Sequence, residues 1–295
     1  MTPLSTSYVL KYFQRFAFGL CLEKIKLFDY KILKFLGFMM REGGVHLSRT
    51  MMLAELATLL EWVGIEASRD QYQAAICEQN CLAKPSGRSR QLTARHLTEL
   101  YGLDPANPIF AGLLYFWCRD VEARPLLALL SATARDSLLR GAMSEILQQP
   151  PGTTITRDWT EQHIEACWPE RFSSATRRSA AQNINGTLTK SGHLRGHVKK
   201  VRTLVEPATG AVAYALYLAW LQGGRGELLL QSPYCKLLDC DTDRFLALAA
   251  SASSRGWMVM RRVDNVIDVD FPALASVVNS AMSEIQANTA QEERL

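Results

Sequence analysis

The stretch Arg171–Val205, RFSSATRRSAAQNINGTLTKSGHLRGHVKKVRTLV, holds eight Arg and Lys residues and no Asp or Glu. The whole chain of 295 residues has a formal net charge of only +4, so this segment carries more positive charge than the molecule. Its punctuation is as informative as its charge. Ser173 or Ser174 can cap a helix that runs to about Ser191, and Gly192 ends it. His193–Val205 then alternates around Gly196, which suits a short hairpin. At about 100° per residue, Ala180, Ala181, Ile184 and Leu188 share one face of the helix, while Arg178, Gln182, Asn185 and Thr189 run down another. Ser179, Asn183 and Lys190 flank them, and Gly186 lies on the polar side, where it permits close approach at a cost in helix stability.

Upstream, Pro150-Pro151-Gly152 stops a helix of about Asp136–Gln148. Thr153–Thr156 is a short β-prone run, Thr156 can cap a helix over Arg157–Trp168, and Pro169 ends it. The order helix, short strand, helix, turn, long polar helix, basic hairpin is the plan of a winged helix-turn-helix. Downstream the pattern recurs. Ala211–Leu221 reads as a very apolar helix, Glu227–Leu230 as a short strand and Ser232–Leu238 as a helix. Asp241 caps another helix to Ser254, and Trp257–Phe271 is an alternating hairpin turning at Asp264-Asn265. The helix Thr242–Ser254 has little positive charge, which suits packing or protein contacts better than DNA. Pro272–Glu293 reads as a last helix fraying into a polar tail.

Toward the N-terminus, Ser48 or Thr50 can cap a helix over Met51–Val63, which Gly64 ends. Ser68 opens a second helix with Gln71 in a capping-box pattern. After the loop Ala83-Lys84-Pro85-Ser86-Gly87, a third helix covers roughly Ser89–Tyr101. The basic side chains Arg88, Arg90, Arg95 and His96 fit a helix-turn-helix with a second DNA contact, or equally a plain three-helix unit with a solvated basic face. The strongly apolar helices Ile109–Arg119 and Arg124–Ala134 read as the central core. Residues 1–38 hold Lys11, Lys24, Lys26, Lys31 and Lys34, half the lysines of the chain, among Phe, Tyr and Leu. Glu23, Lys24 and Lys26 follow Phe16–Leu22 where a signal peptide would place small residues. A packing arm, or a start mis-assigned ahead of Met39 or Met40, is favoured over a membrane-surface helix.

Composition narrows the classes. An apolar fraction of 48% is ordinary for a globular protein, and no apolar run approaches about 18 residues, so membrane insertion is not expected. Seven cysteines, an odd number in a long chain, fit a reducing, cytoplasmic setting better than a disulfide framework. Cys77 and Cys81 lack companions at zinc-site spacing and read as core fillers. GxxxxGK[ST], GxSxG, HExxH and GxGxxG motifs are all absent. Asp239, Asp241, Asp243, Asp268 and Asp270 could hold a nuclease metal, but a helix cap and the wet face of a hairpin account for them. His193 and His197 straddle Gly196 and make a poor metal pair. No catalytic residue, cofactor or metal is expected.

The residue types on the polar helix face are those that read bases: Arg on guanine, Gln or Asn on adenine, a Thr methyl on thymine. Arg178, Gln182, Asn185 and Thr189 are therefore assigned to the major groove of double-stranded DNA. Arg177, Lys190, His193, Arg195, Lys199, Lys200 and Arg202 are assigned to the backbone.

Two sets of short motifs then resemble the BrxA family. One is Tyr72-Gln73-Ala74-Ala75-Ile76-Cys77-Glu78-Gln79-Asn80-Cys81-Leu82 followed by Ser89-Arg90-Gln91-Leu92-Thr93. The other is Pro125-Leu126-Leu127-Ala128-Leu129-Leu130, continuing through Asp158-Trp159 and Ser173–Thr176 to Gly192-His193-Leu194. The resemblance covers about residues 46–221. The chain departs from the family pattern in its N-terminal extension and in a longer C-terminal winged-looking unit. BrxA proteins belong to bacterial phage-exclusion (BREX) defence systems and are described as helical, in part similar to the antitermination factor NusB, and DNA-binding. The resemblance implies a non-enzymatic accessory protein with other defence subunits as partners. An adaptor that docks proteins through its winged units, or an RNA-binding NusB-like factor, are the alternatives.

The expected fold is mainly α, with tandem helix-turn-helix and winged-helix modules around a central helical core. The expected divisions are an extension (1–44), an N-terminal helical module (45–120), a winged helix-turn-helix domain (121–206), a second winged-helix-like domain (207–272) and a C-terminal helix and tail (273–295).

Overall fold

The computed structural model describes residues 32–39, 44–263 and 266–292. The fold is mainly helical, with two small antiparallel sheets. Of residues 1–38, read as a packing arm, 32–38 are described, and Ile32, Leu36 and Phe38 are buried there in the core, while residues 1–31, the turn at Asp264-Asn265 and the tail beyond Glu292 lie outside the described residues.

The helix at the centre is the one with no polar face. Thr209–Leu221, TGAVAYALYLAWL, has no charged residue, and every one of its residues is buried. A helix apolar all round must be covered all round, and neighbours from across the chain do so. With helices numbered α1 Leu53–Val63, α2 Arg69–Cys77, α3 Gly87–Tyr101, α4 Pro108–Trp117, α5 Arg124–Arg135, α6 Ser137–Gln148, α7 Arg157–Cys167 and α8 Ser174–Lys190, the central helix is α9. It packs against α4 and α5 on the N-terminal side of the chain. On the other side it packs against α10 (Pro233–Lys236) and α11 (Thr242–Ser254). The hydroxyls of Tyr214 and Tyr217 donate to the carbonyls of Ile109 (2.9 Å) and Pro108 (3.1 Å) at the start of α4. Gly112 makes that approach possible, since a Cβ there would lie 2.4 Å from the Tyr217 ring. Asp120 Oδ2 accepts from the Gly210 amide (2.7 Å), satisfying a donor of the first turn of α9 that has no intrahelical partner. Helices α4 and α5 thus share the centre with α9, and the sequence segments 45–120, 121–206 and 207–272 meet in one hydrophobic core.

Most helix starts follow the hydroxyl and carboxylate signals. Ser68 and Gln71 form the capping box of α2. Thr156 caps α7, Ser173 caps α8 and Asp241 caps α11. Two starts differ. Helix α3 begins at Gly87 because Ser86, expected in the loop, forms a reciprocal cap with Ser89. At α1 neither Ser48 nor Thr50 is the cap; Met52 occupies that position in the left-handed region, with φ 52°.

Between α6 and the hairpin, residue 154 joins the sheet. Thr154 bridges Val201, and the amides of Arg202 and Ile155 donate to Thr153 O (2.8 Å) and Lys200 O (2.9 Å). Strands β1 (Leu194–Arg195) and β2 (Val201–Arg202) pair antiparallel with Leu194 opposite Arg202. The spatial order is residue 154, β2, β1, with α6, α7 and α8 packed in sequence beside it.

In the C-terminal part, the strand expected over Glu227–Leu230 is instead a 3-10 turn, Gly226–Leu229, lying against β4. Leu229 alone in the turn is buried and Leu228 is exposed, so the run has no apolar face for a sheet to bury. Strands β3 (Val259–Val263) and β4 (Val266–Asp270) form the expected hairpin. Helix α12 (Ala275–Glu292) follows a 3-10 turn at Pro272–Leu274. Among the described residues, no helix is long and apolar enough to cross a membrane.

Candidate nucleic-acid interface

Helix α8 is framed on both sides, which narrows its free face. Helix α7 packs along one side. There Asn185 is only 2% exposed; its Oδ1 accepts from the Thr160 hydroxyl (2.9 Å) and its Nδ2 donates to Thr156 O (3.4 Å). Thr189, half-buried, donates its hydroxyl to Asn185 O (2.7 Å) and accepts from Lys200 Nζ (2.7 Å). Asn185 and Thr189 are therefore corrected from base readers to fasteners of α8 against α7 and the hairpin.

The other side of α8 is covered by a segment that sequence reasoning assigned only to helix capping. The 3-10 turn Val45–Leu47 and the residues after it lie against the C-terminal half of α8. Asn183 Nδ2 donates to His46 O (3.2 Å), Lys190 Nζ donates to the Thr50 hydroxyl oxygen (3.2 Å), and a Cβ on Gly186 would sit 3.2 Å from the Thr50 methyl. A buried polar chain holds the segment down. Asp136 Oδ2 accepts from the His46 amide (3.0 Å) and lies 2.8 Å from His46 Nδ1, and His46 Nε2 lies 2.9 Å from Thr187 Oγ1. Thr187 Oγ1 also accepts from the Met51 amide (2.8 Å). Burial pushes the Asp136 carboxyl up, but His46 and two backbone amides outweigh it, leaving the group below the usual carboxylate range.

What remains open on α8 is a stripe through Arg178, Ser179 and Gln182, with Lys190 at the far end. Arg178 is 63% exposed, and its Nε is 3.4 Å from Glu161 on α7. Arg177 does not turn outward: its Nη1 pairs with Glu165 at 2.7 Å and donates to Phe172 O (2.6 Å). The acid-free segment thus lies beside an acidic helix, and its N-terminal arginines are matched there.

The hairpin divides the same way. His193 and Arg202, both assigned to DNA backbone, are buried inside it. His193 Nε2 lies 2.8 Å from Leu237 O and Nδ1 2.9 Å from Ser191 Oγ, and burial pushes its pKa down to about 4. In the neutral ring Nε2 donates to the carbonyl and Nδ1 accepts from the hydroxyl. Arg202 ion-pairs with Asp239 and donates from Nε to Ile146 O (3.2 Å), tying β2 to α6 and to the segment before α11. Both are corrected to internal clamps: β2 turns Arg202 inward as Val201 faces the other way. Arg195, His197, Val198 and Lys199 are exposed at the tip, Val198 by 93%. Gly196, at φ 111°, closes the loop so tightly that a Cβ would fall 2.1 Å from Lys199 O. Lys200 is half-buried, its Nζ held by Thr189.

On α3, Arg88 and Arg95 are exposed and Arg90 is half-buried. The residue that sequence reading missed is Arg49, exposed between Ser48 and Thr50, with Nη1 donating to Ser48 O (2.9 Å). A lone arginine beside two possible caps gives no signal until the segment is seen lying on α8.

The aspartates of the C-terminal part are dispersed. Asp239 pairs with Arg202, Asp241 accepts from the Arg244 amide (2.8 Å), and Asp268 lies 3.7 Å from Arg261. Among the described residues no three His, Cys, Asp or Glu side chains gather as a metal site. Compared with protein-family models and with curated proteins, the chain matches none.

Proposed function

We propose that this protein binds double-stranded DNA, without catalysis, as an accessory protein of a bacterial phage-defence system of the BREX kind. The observation that carries the DNA reading is the hairpin tip at the C-terminal end of α8. Arg195 and Lys199 are exposed there with no carboxylate within ion-pair distance among the described residues. The order α6, residue 154, α7, α8, β1, β2, with β2 central in the sheet, supports reading this region as a winged helix-turn-helix. In that reading Gln182 and Arg178 enter the major groove, Arg178 exchanging Glu161 for a base edge. Lys190, Arg195 and Lys199 neutralise phosphates. The defence role rests on the resemblance to BrxA.

A direct test is equilibrium binding of the full chain to duplex DNA, duplex RNA and single strands of the same sequence. The proposal expects duplex DNA to be preferred. Preference for RNA would select the NusB-like alternative, and absence of binding to all three the adaptor. One feature favours an adaptor role alongside DNA binding. An open groove of about 1360 Å³ lies between α6, residues 204–207 and residues 233–244, with exposed Leu204 beside Leu147 and Pro207. Its lining mixes apolar Leu147, Leu204 and Pro207 with charged Arg140, Lys236 and Arg244, and exposed apolar area within a polar surround is what protein contacts bury.

A further inference from the structure

We propose that the DNA-binding face extends beyond α8 and its hairpin, across Lys190 and Arg49, onto a stripe of α3 formed by Arg88, Gln91 and Arg95. This rests on the duplex-DNA reading above and adds to it a second helix and a joint between the two. The joint is physical. Lys200 on the hairpin bonds Thr189, the neighbouring Lys190 bonds Thr50, and Arg49 follows on the same segment. The segment then runs to α3, where the Tyr101 hydroxyl donates to Met51 O. The 3-10 turn Val45–Leu47 touches both α3 and α8. Burial pushes the His96 pKa on α3 down, and the positive charges of Arg49 and Arg95 lower it further against Glu99.

Along α3, residues 88, 91 and 95 are exposed at spacings of three and four, so they form one stripe of roughly 10 Å at 1.5 Å per residue. Its chemistry, guanidiniums beside an amide, is of the same kind as that of Arg178 and Gln182 on α8. The charge is available: among the described residues no carboxylate lies within ion-pair distance of Arg49, Arg88, Arg95 or Lys190. By contrast, the N-terminal half of α8 has its arginines matched by Glu161 and Glu165. A polyanion approaching the hairpin therefore meets unmatched cations in the direction of α3. The latch of His46, Asp136 and Thr187 fixes Arg49 in that gap, which makes these three positioning residues for the extended face.

The test is a salt titration of duplex affinity for the full-length chain and for Arg49→Ala, Arg49→Lys, Arg88→Ala/Arg95→Ala and Lys199→Ala. Each lost phosphate contact should flatten the plot of log affinity against log salt by about 0.9. Arg49→Ala is expected to weaken binding roughly fivefold at low salt and to flatten the slope by about one, with Arg49→Lys keeping the slope. Arg88→Ala/Arg95→Ala should flatten it by about two. If Lys199→Ala alone changes the slope while the Arg49 and α3 variants behave as wild type, the face ends at the hairpin and the extension is wrong, with the DNA reading intact. If the unaltered chain binds no duplex, the DNA reading falls and the extension with it. Arg49 and Arg95 are exposed, so melting curves matching wild type exclude misfolding as the cause of a loss.

Discussion

Asn185 and Gln182 sit three residues apart on one helix and do opposite things. Helical spacing groups them, because at about 100° per residue both lie within one polar arc. The structure splits that arc, since α7 covers Asn185, the hairpin reaches Thr189, and Gln182 is left in solvent. A single-helix projection cannot say how wide a neighbour's footprint will be. Truncating Asn185 to Ala removes its bonds to the Thr160 hydroxyl and the Thr156 carbonyl, which still bond each other beneath α7, and should destabilise the fold by about 1–2 kcal/mol in denaturant unfolding. Gln182→Ala should leave the unfolding midpoint alone and shift base preference in a binding-site selection. The same contrast applies on the hairpin. Arg202→Ala leaves Asp239 without its buried partner and should cost about 3–5 kcal/mol, whereas Lys199→Ala should change DNA affinity with no loss of stability. Similar melting temperatures for these two variants would contradict the division of the hairpin into clamp and tip.

At the scale of elements, the legible features were those encoded within a few residues. Ser68, Thr156, Ser173 and Asp241 cap the helices they were expected to cap, because a cap needs only a hydroxyl or carboxylate two or three residues before a free amide. Partnership at a distance was not legible. The acid-free run from Arg171 to Val205 is acid-free in sequence only, for α7 brings Glu161 and Glu165 against it. The segment 44–50 gave no periodicity, yet it is bound to α6 and α8 by groups 90 to 141 residues away. Replacing Thr187 by Val removes the acceptor for the Met51 amide and the partner of His46 Nε2. Hydrogen exchange should then quicken in residues 44–52 before it does in α9. Uniform exchange across the chain would mean the segment is held by apolar packing alone.

For the whole molecule, α4 and α5 were readable as core, but Ala211–Leu221 was read only as a very apolar helix of a second winged unit, and neither its central place nor its sharing by three sequence segments was legible. That shared core makes stability a property of the full chain, and two buried groups set its response to acid. His193 has a folded pKa of about 4 against an ordinary 6.5, so the unfolded chain takes up the proton more readily. Its contribution is complete above pH 6.5 and is lost as pH falls toward 4, on the order of 3 kcal/mol across that window. Asp136, held below its ordinary value of 3.8, adds a further loss as pH drops through its folded pKa. Urea unfolding between pH 7 and 4 should follow the first decline, and His193→Gln should flatten it; an unchanged curve would argue that His193 is charged in the fold.

The central claim is that the exposed cations around the C-terminal end of α8 bind duplex DNA by neutralising phosphates. Its most direct measurement is the duplex dissociation constant of the full chain as a function of salt. With Lys190, Arg195 and Lys199 each neutralising a phosphate, log affinity should fall with log salt at a slope of about −3, steepening to about −5 with Arg49, Arg88 and Arg95 of the extended face. Absent binding, or affinity insensitive to salt, would contradict the account.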